Sequence, residues 1–155
     1  MNEASERTVT FRVTYIEGAG GIAPKNSITC LIEMRQTQNL DDLANAIIEG
    51  WFEWLIPPHL YEFSFDNELY SGDPEKKYIP DFARVDDSEE GYKLKKSTRT
   101  TLAELNLHLR QRFTFLFDFG DDHVFSVKVV KFGVGQKERT YPCIFETQGK
   151  IPAQY

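Results

Sequence analysis

The sequence predicts one α+β domain over residues 1–155, in which a main helix packs on a mixed or antiparallel sheet. Several runs alternate apolar and polar residues with the period of a β-strand, and one stretch repeats its apolar residues with the period of a helix. The elements follow the order β-β-α-β, a long loop, a short helix and three strands, which is typical of the α+β class. The β-β-α-β opening further predicts a ubiquitin-like arrangement.

Two alternating runs near the start predict a first antiparallel hairpin. Residues 8–16 place their apolar side chains at every second position, and a second run does the same after a glycine-rich loop. The predicted inner faces consist of Val9, Phe11, Val13 and Tyr15 in the first strand and Ile28, Cys30, Ile32 and Met34 in the second.

The main helix is predicted to begin after Asn39, a residue type whose side chain caps helix N-termini well. Two aspartates follow in the first turn, where the helix dipole favours negative charge. Pro57 and Pro58 are expected to stop the helix. Its apolar stripe consists of Leu40, Leu43, Ala44, Ile47, Ile48 and Trp51.

The middle of the chain predicts a third strand and then a less regular region. Tyr61, Phe63 and Phe65 alternate with polar residues and are expected to face inward. Residues 67–100 carry an acidic run at 86–90 and a basic patch at 93–99, and this composition predicts an irregular, solvated, charged loop. Thr101 and Glu104 have the spacing of a capping box, which predicts a short helix.

The most informative stretch is residues 113–130, which predicts a β-hairpin. Phe113, Phe115, Phe117 and Phe119 repeat with period two, so one strand face is aromatic. Gly120 and the two aspartates after it supply turn residues, and a β-branched run follows. We expect Phe115 and Phe117 to pack against the helix stripe. A last short strand is predicted at 141–146.

Composition excludes several classes of function. A net charge of −6 and a pI near 5.1 make nucleic-acid binding unexpected, because such proteins need clustered Lys and Arg. No apolar run is long enough for a membrane span, and the N-terminus lacks the apolar core of a signal peptide. Cys30 and Cys143 have no CxxC spacing, which predicts reduced thiols in the cytoplasm, while a single disulfide stays open.

Four residues at the predicted hairpin tip are the candidate metal ligands: Asp118, Asp121, Asp122 and His123. Carboxylate oxygens at a turn could hold Mg²⁺ or Mn²⁺, as they do at phosphoryl-transfer sites. The structural alternative is that Asp118 accepts backbone hydrogen bonds while Asp121 and Asp122 shape the turn and face water. No catalytic residue and no other cofactor site is predicted, since phosphate-loop, zinc and dinucleotide motifs are missing.

Short motifs along most of the chain resemble one family. The most specific is Asp118-Phe119-Gly120-Asp121-Asp122, followed about twenty residues later by Tyr141-Pro142. Together with His59-Leu60-Tyr61 these motifs resemble the plasmid ORF-three-like family, also called insertion-element passenger TnpR-like proteins. The resemblance implies a compact α+β domain. It implies no established biochemical role, and the passenger label, which records genomic neighbourhood, does not imply recombination chemistry. The family usually places Trp and His where this chain has His123 and Phe125.

Two classes of function follow. The first is a non-catalytic binding or accessory module that contacts another protein through a sheet edge or the tip loop. The alternative is a divalent-metal-dependent enzyme that acts on phosphate esters through Asp118, Asp121 and Asp122. The sequence favours the first and leaves the partner and the oligomeric state open. The convergence of the three carboxylates on one point would distinguish the two.

Overall fold

The computed structural model describes residues 6–84 and 95–154, and its main feature is one eight-stranded sheet. The strands are β1 (Arg7–Glu17), β2 (Thr29–Arg35), β3 (Tyr61–Ser64), β4 (Lys77–Ile79), β5 (Lys96–Ser97), β6 (Arg112–Phe117), β7 (His123–Val134) and β8 (Cys143–Gln148). Their order in the sheet is β5-β4-β3-β6-β7-β1-β2-β8. Neighbouring strands are antiparallel except β4 and β5.

One helical segment of 12 residues packs on this sheet. It starts as the α-helix α1 (Leu40–Asn45) and continues as a π-helix (Ala46–Trp51). A short helix α2 (Asp81–Arg84) and three 3₁₀ turns (Ala19–Gly21, Pro74–Lys76, Ala103–Leu105) complete the helical structure of the described residues. None of these helices has the length and apolar character needed to cross a membrane.

The predicted α+β class and its ubiquitin-like opening are wrong, because the protein is mostly sheet. In the expected arrangement β3 would lie close to the β1–β2 hairpin. Instead β7 occupies the free side of β1, and β6 separates β7 from β3. With 12 residues, β7 is long enough to pair along the whole of β1, and that long antiparallel ladder excludes β3.

The predicted start and stripe of the main helix are confirmed. Asn39 Oδ1 accepts from the Asp42 amide at 2.9 Å, and the Asp42 carboxylate accepts from the Asn39 amide at 3.0 Å. This reciprocal pair satisfies two backbone donors that the helix leaves free. All six residues of the predicted stripe are buried.

The helix ends at Trp51, six residues before the prolines that were expected to stop it. The Phe52 amide bonds the Ile47 carbonyl at 3.0 Å, five residues back, and this wide last turn continues into an irregular segment. The segment returns Phe52 and Trp54 to the core, where both are buried against aromatic rings. Aromatic burial thus ends the helix before the prolines are reached.

The aromatic hairpin is confirmed for three of its four phenylalanines. Phe113, Phe115 and Phe117 are fully buried, and Phe115 stacks on Phe63 with ring centroids 4.6 Å apart. Phe119 lies beyond the end of β6 and is half-buried beside Tyr70. The alternation therefore ends where the strand ends.

The sheet face opposite the helix, which we call the far face, is covered over only one half. The stretch expected to be an irregular charged loop, residues 67–100, contains β4, β5 and α2, and its Lys95 and Lys77 contact the buried Glu62 and Ser64 of this face. The acidic run at 86–90 and Lys93 lie outside the described residues. Over β1, β2 and β7 much of the far face is open, with Arg12 exposed and Lys128 half-exposed.

Candidate functional site

The hairpin tip between β6 and β7 is held by the backbone and carboxylate of Asp118. Asp118 has φ +63° and Asp122 φ +54°, so both occupy the left-handed region that short polar side chains tolerate. The Asp122 amide donates to the Asp118 carbonyl at 2.6 Å, and the Gly120 amide donates to Asp118 Oδ1 at 3.1 Å. Asp118 therefore shapes the turn, as its structural interpretation predicts.

The second oxygen of Asp118 faces a histidine from another element. His59 Nδ1 lies 3.1 Å from Asp118 Oδ2, and each side chain is only 16% exposed. His59 precedes β3, and the Asp118 amide donates to the neighbouring Leu60 carbonyl at 2.8 Å. These contacts attach the tip to the start of β3.

Asp122 has a different partner, the tyrosine Tyr70. The Tyr70 hydroxyl is bonded to Asp122 Oδ1 and lies 3.0 Å from the Phe119 carbonyl. Desolvation, followed by the hydrogen bond to Asp122 and its charge, raises the pKa of Tyr70. Asp121 is half-buried and has no hydrogen-bond partner among the described residues.

His123, the fourth candidate ligand, is turned into the core. It is 5% exposed, its Nδ1 lies 2.9 Å from the Tyr15 hydroxyl, and the Trp54 ring meets it edge-on at 4.6 Å. Its Nε2 is buried and has no partner among the described residues. Burial lowers the pKa of His123, although nearby carboxylates, with Asp121 first, act in the opposite direction.

The four candidates are therefore near one another in sequence, but they have different partners. Asp118 bonds to His59, Asp122 to Tyr70, and His123 to Tyr15. Over residues 6–84 and 95–154, no three His, Cys, Asp or Glu side chains converge as a metal ligand set. The magnesium or manganese site stays a prediction, and the observed arrangement orders the tip.

Sequence reasoning missed a buried charged network on the far face. Lys95 Nζ lies 2.6 Å from Glu62, and Glu62 is joined through Ser64 to Lys77, which pairs with Asp66 at 2.7 Å. Glu62 is 4% exposed and Lys77 2% exposed. Because Glu62 alternates with inward aromatic residues, its sequence pattern indicates a solvent-facing position. Its burial depends on tertiary contacts, among them the ion pair with Lys95, 33 residues further along the chain.

This network contains a serine and a lysine in contact, but it is not a nucleophilic pair. Ser64 is fully buried, so no substrate reaches its hydroxyl. Lys77 Nζ also contacts the Asp66 carboxylate at 2.7 Å, so it is not aimed at Ser64 alone. The network attaches the stretch from residue 67 to residue 100 to strand β3.

Both cysteines are free, and they lie on different strands. Cys30 is buried in β2, and desolvation raises the pKa of its thiol to about 12. A thiol of this kind is not a nucleophile at neutral pH. Cys143, in β8, is half-exposed.

Fold and site together define a sheet-dominated protein whose acidic hairpin tip is held by His59 and Tyr70. The family comparison is consistent with this description. The chain belongs to the plasmid pRiA4b ORF-3-like family, whose model matches residues 22–154. The family resemblance in the sequence is thereby confirmed.

A solved structure shares the fold. The crystal structure of a protein of unknown function, MM3350 from Methanosarcina mazei Go1, is similar with a TM-score of 0.66. The match covers 92% of this chain and 69% of that one, at 19% sequence identity, and so carries information on fold alone. No curated protein matches this chain.

Proposed function

We propose that this protein is a non-catalytic binding module, which contacts another protein by adding a strand of that partner to the outer edge of β8. The observation that carries this proposal is the position of β8. It is last in the sheet order, is six residues long and, among residues 6–84 and 95–154, pairs on one side only, with β2. An edge strand presents unpaired N–H and C=O groups, which an extended peptide can bond.

The opposite edge of the sheet supports the choice of β8. There β5 has only two residues, Lys96 and Ser97, and pairs in parallel with β4. A very short strand that carries lysine is a common protection against strand addition. In β8, the residues from Glu146 to Gln148 are exposed, while Glu146 has φ +49° and bends the strand. This bend limits the partner to a short segment.

A groove beside β8 suggests the chemistry of the partner. It has a volume of about 430 Å³ and lies between the helix and the start of β8. Gly50 permits their close approach, because a Cβ there would lie 2.9 Å from Ile144 Cδ1. The lining is apolar at Ala46, Pro142 and Ile144 and polar at Asp42, Asn45 and Glu49. An acidic rim over an apolar floor suits a segment in which apolar and basic residues alternate.

A displayed library of random peptides, selected against the full chain, tests the proposal. We expect enrichment of peptides with alternating apolar and basic residues. In NMR hydrogen-exchange experiments, saturation with such a peptide should slow the exchange of β8 amides, because the added strand bonds the edge.

Two charge reversals provide a matched comparison. Glu49 lines the groove, whereas Glu138 is exposed in the connection between β7 and β8. Glu49→Lys should weaken the selected peptide by about tenfold, or about 1.4 kcal/mol, and Glu138→Lys should leave its affinity nearly unchanged. Unchanged exchange of the β8 amides at peptide saturation would refute the proposal.

A further inference from the structure

Three basic side chains lie side by side across the open half of the far face. Arg12 in β1 pairs directly with Lys128 in β7, and Lys128 pairs directly with Arg112 in β6. Directly paired residues project from the same sheet face, with Cβ atoms about 5 Å apart. Phe11 and Val13 beside Arg12, Val127 and Val129 beside Lys128, and Phe113 beside Arg112 are all buried in the core, so the three basic side chains point away from it. We call Arg12, Lys128 and Arg112 the basic row.

In the described part of the chain no carboxylate lies within ion-pair distance of the basic row, and Glu33, diagonal to Arg12 on the same face, is bonded to Arg139 and Thr8. Arg12 and Arg112 are exposed, and Lys128 is half-exposed. Within residues 6–84 and 95–154, none of the three side chains has a hydrogen-bond or ion-pair partner. Other basic residues of this protein do have one, such as Lys77 with Asp66 and Arg139 with Glu33.

This arrangement opposes stability. Like charges that face each other on neighbouring strands repel, and two such pairs occur in succession here. The chain carries a net charge of −6, so acidic residues outnumber basic ones. None of the acidic residues that the structure describes occupies a position between the three cations of the row. An unrelieved row of cations in an acidic protein is therefore a local feature that points to an anionic ligand.

The surroundings of the row are suited to a peptide. Two residues further along each strand lie Thr14, Ser126 and Thr114, which are also direct cross-strand neighbours and form a line of hydroxyl groups. At the β2 end Leu31 is paired with Arg12, and it adds half-exposed apolar surface. The carboxylates of a bound peptide would contact the basic row, its backbone groups would bond to the hydroxyl groups, and an apolar side chain would pack on Leu31.

We propose that the basic row binds an acidic segment of a partner protein, with the carboxylates of that segment placed against Arg12, Lys128 and Arg112. The row extends over three strands, or about 10 Å between its ends. Two carboxylates at alternate positions of an extended peptide are about 7 Å apart, within reach of these long side chains. The row and the β8 edge are different surfaces, so each proposal can fail without the other.

The surroundings of the basic row favour a protein over a nucleic acid as this ligand. Single-stranded nucleic acid is bound by aromatic rings that stack on bases beside the basic groups. Here hydroxyl side chains occupy the line next to the basic row, and the ring in line with it, Phe145, lies beyond Leu31, two strands away from Arg12. The negative net charge of the chain also repels a long polyanion, while a short acidic segment meets only the local field.

Fluorescence anisotropy with labelled deca-glutamate and the full chain tests this assignment. The row variant carries Arg12→Gln, Lys128→Gln and Arg112→Gln. The control variant carries Lys25→Gln, Lys137→Gln and Lys150→Gln, three exposed lysines in other segments. Both variants lose three positive charges, so the net charge of the protein changes equally.

We expect deca-glutamate to bind the wild-type chain at low salt and to dissociate as salt is added. The row variant should bind at least about tenfold more weakly, and the control variant within about twofold of wild type. Circular dichroism should show both variants folded, because all six positions are at the surface. Equal losses in the two variants, or no binding to wild type at about 50 mM salt, would overturn the proposal. Oligothymidylate of equal length that binds as tightly as the peptide would also overturn it.

Discussion

Replacement of Phe117 by alanine should remove a large part of the stability of this protein. The ring is fully buried, and its centroid lies 6.4 Å from that of Trp54 and 5.5 Å from that of His59. A buried phenylalanine removes about 150 Å² or more from water, which at about 25 cal/mol per Å² gives about 4 kcal/mol. Phe→Ala substitutions in cores cost about 3–5 kcal/mol, out of a total of about 5–15 kcal/mol for a typical domain.

Urea denaturation followed by circular dichroism measures this effect. With a slope of about 2 kcal/mol per molar urea, the loss corresponds to a decrease in the midpoint of about 2 M. Phe119→Ala is the matched control, because this residue continues the same alternation two positions later and is only half-buried. If Phe117→Ala and Phe119→Ala lower the urea midpoint equally, the burial of Phe117 does not contribute the expected stability, and the packing argument is refuted.

Three further outcomes concern the hairpin tip. Burial lowers the pKa of His123, so between that value and about 6.5 the unfolded chain binds more protons. Stability should then fall as pH decreases through this window, and His123→Gln should reduce the slope; equal slopes of urea midpoint against pH would contradict this. Asp118→Asn, which removes the charge facing His59, should cost about 0.5–1 kcal/mol, whereas Asp121→Ala should change the urea midpoint little. Calorimetry should detect no micromolar Mg²⁺ or Mn²⁺ binding, and a site abolished by substitution of either aspartate would favour the enzyme.

Local periodicity was sufficient to predict most strands and the helix start. Each of two patterns arises because a single strand or helix buries one side: the alternation through Phe113, Phe115 and Phe117, and the stripe from Leu40 to Trp51. Because strand and helix periods differ, the buried face can be read from neighbouring residues alone. The Asn39 cap is equally local, since both of its partners lie within three residues.

Sheet order was beyond the sequence because it depends on competition between distant segments. The opening β-β-α-β is compatible with β3 near the first hairpin, and the length of β7 decides otherwise only once β7 pairs with β1. The burial of Glu62 and Lys77 has the same origin. Glu62 looks solvent-facing in its strand, and Lys77 lies in the stretch predicted to be a solvated loop. Both are buried through ion pairs that only the tertiary structure reveals.

The acidic hairpin tip and the basic row show this difference between local and tertiary information most clearly. Asp118 and Asp122 are four residues apart in sequence and both have left-handed backbone, but their carboxylates bond to different partners, His59 and Tyr70. Arg12, Arg112 and Lys128 are far apart in sequence, and the register of three strands makes them neighbours. The sequence by itself determined which residues face the core and which form turns, since these follow from short-range periodicity and backbone preference. Only the tertiary structure decided which surface side chains meet, because strand register joins residues that no local pattern connects.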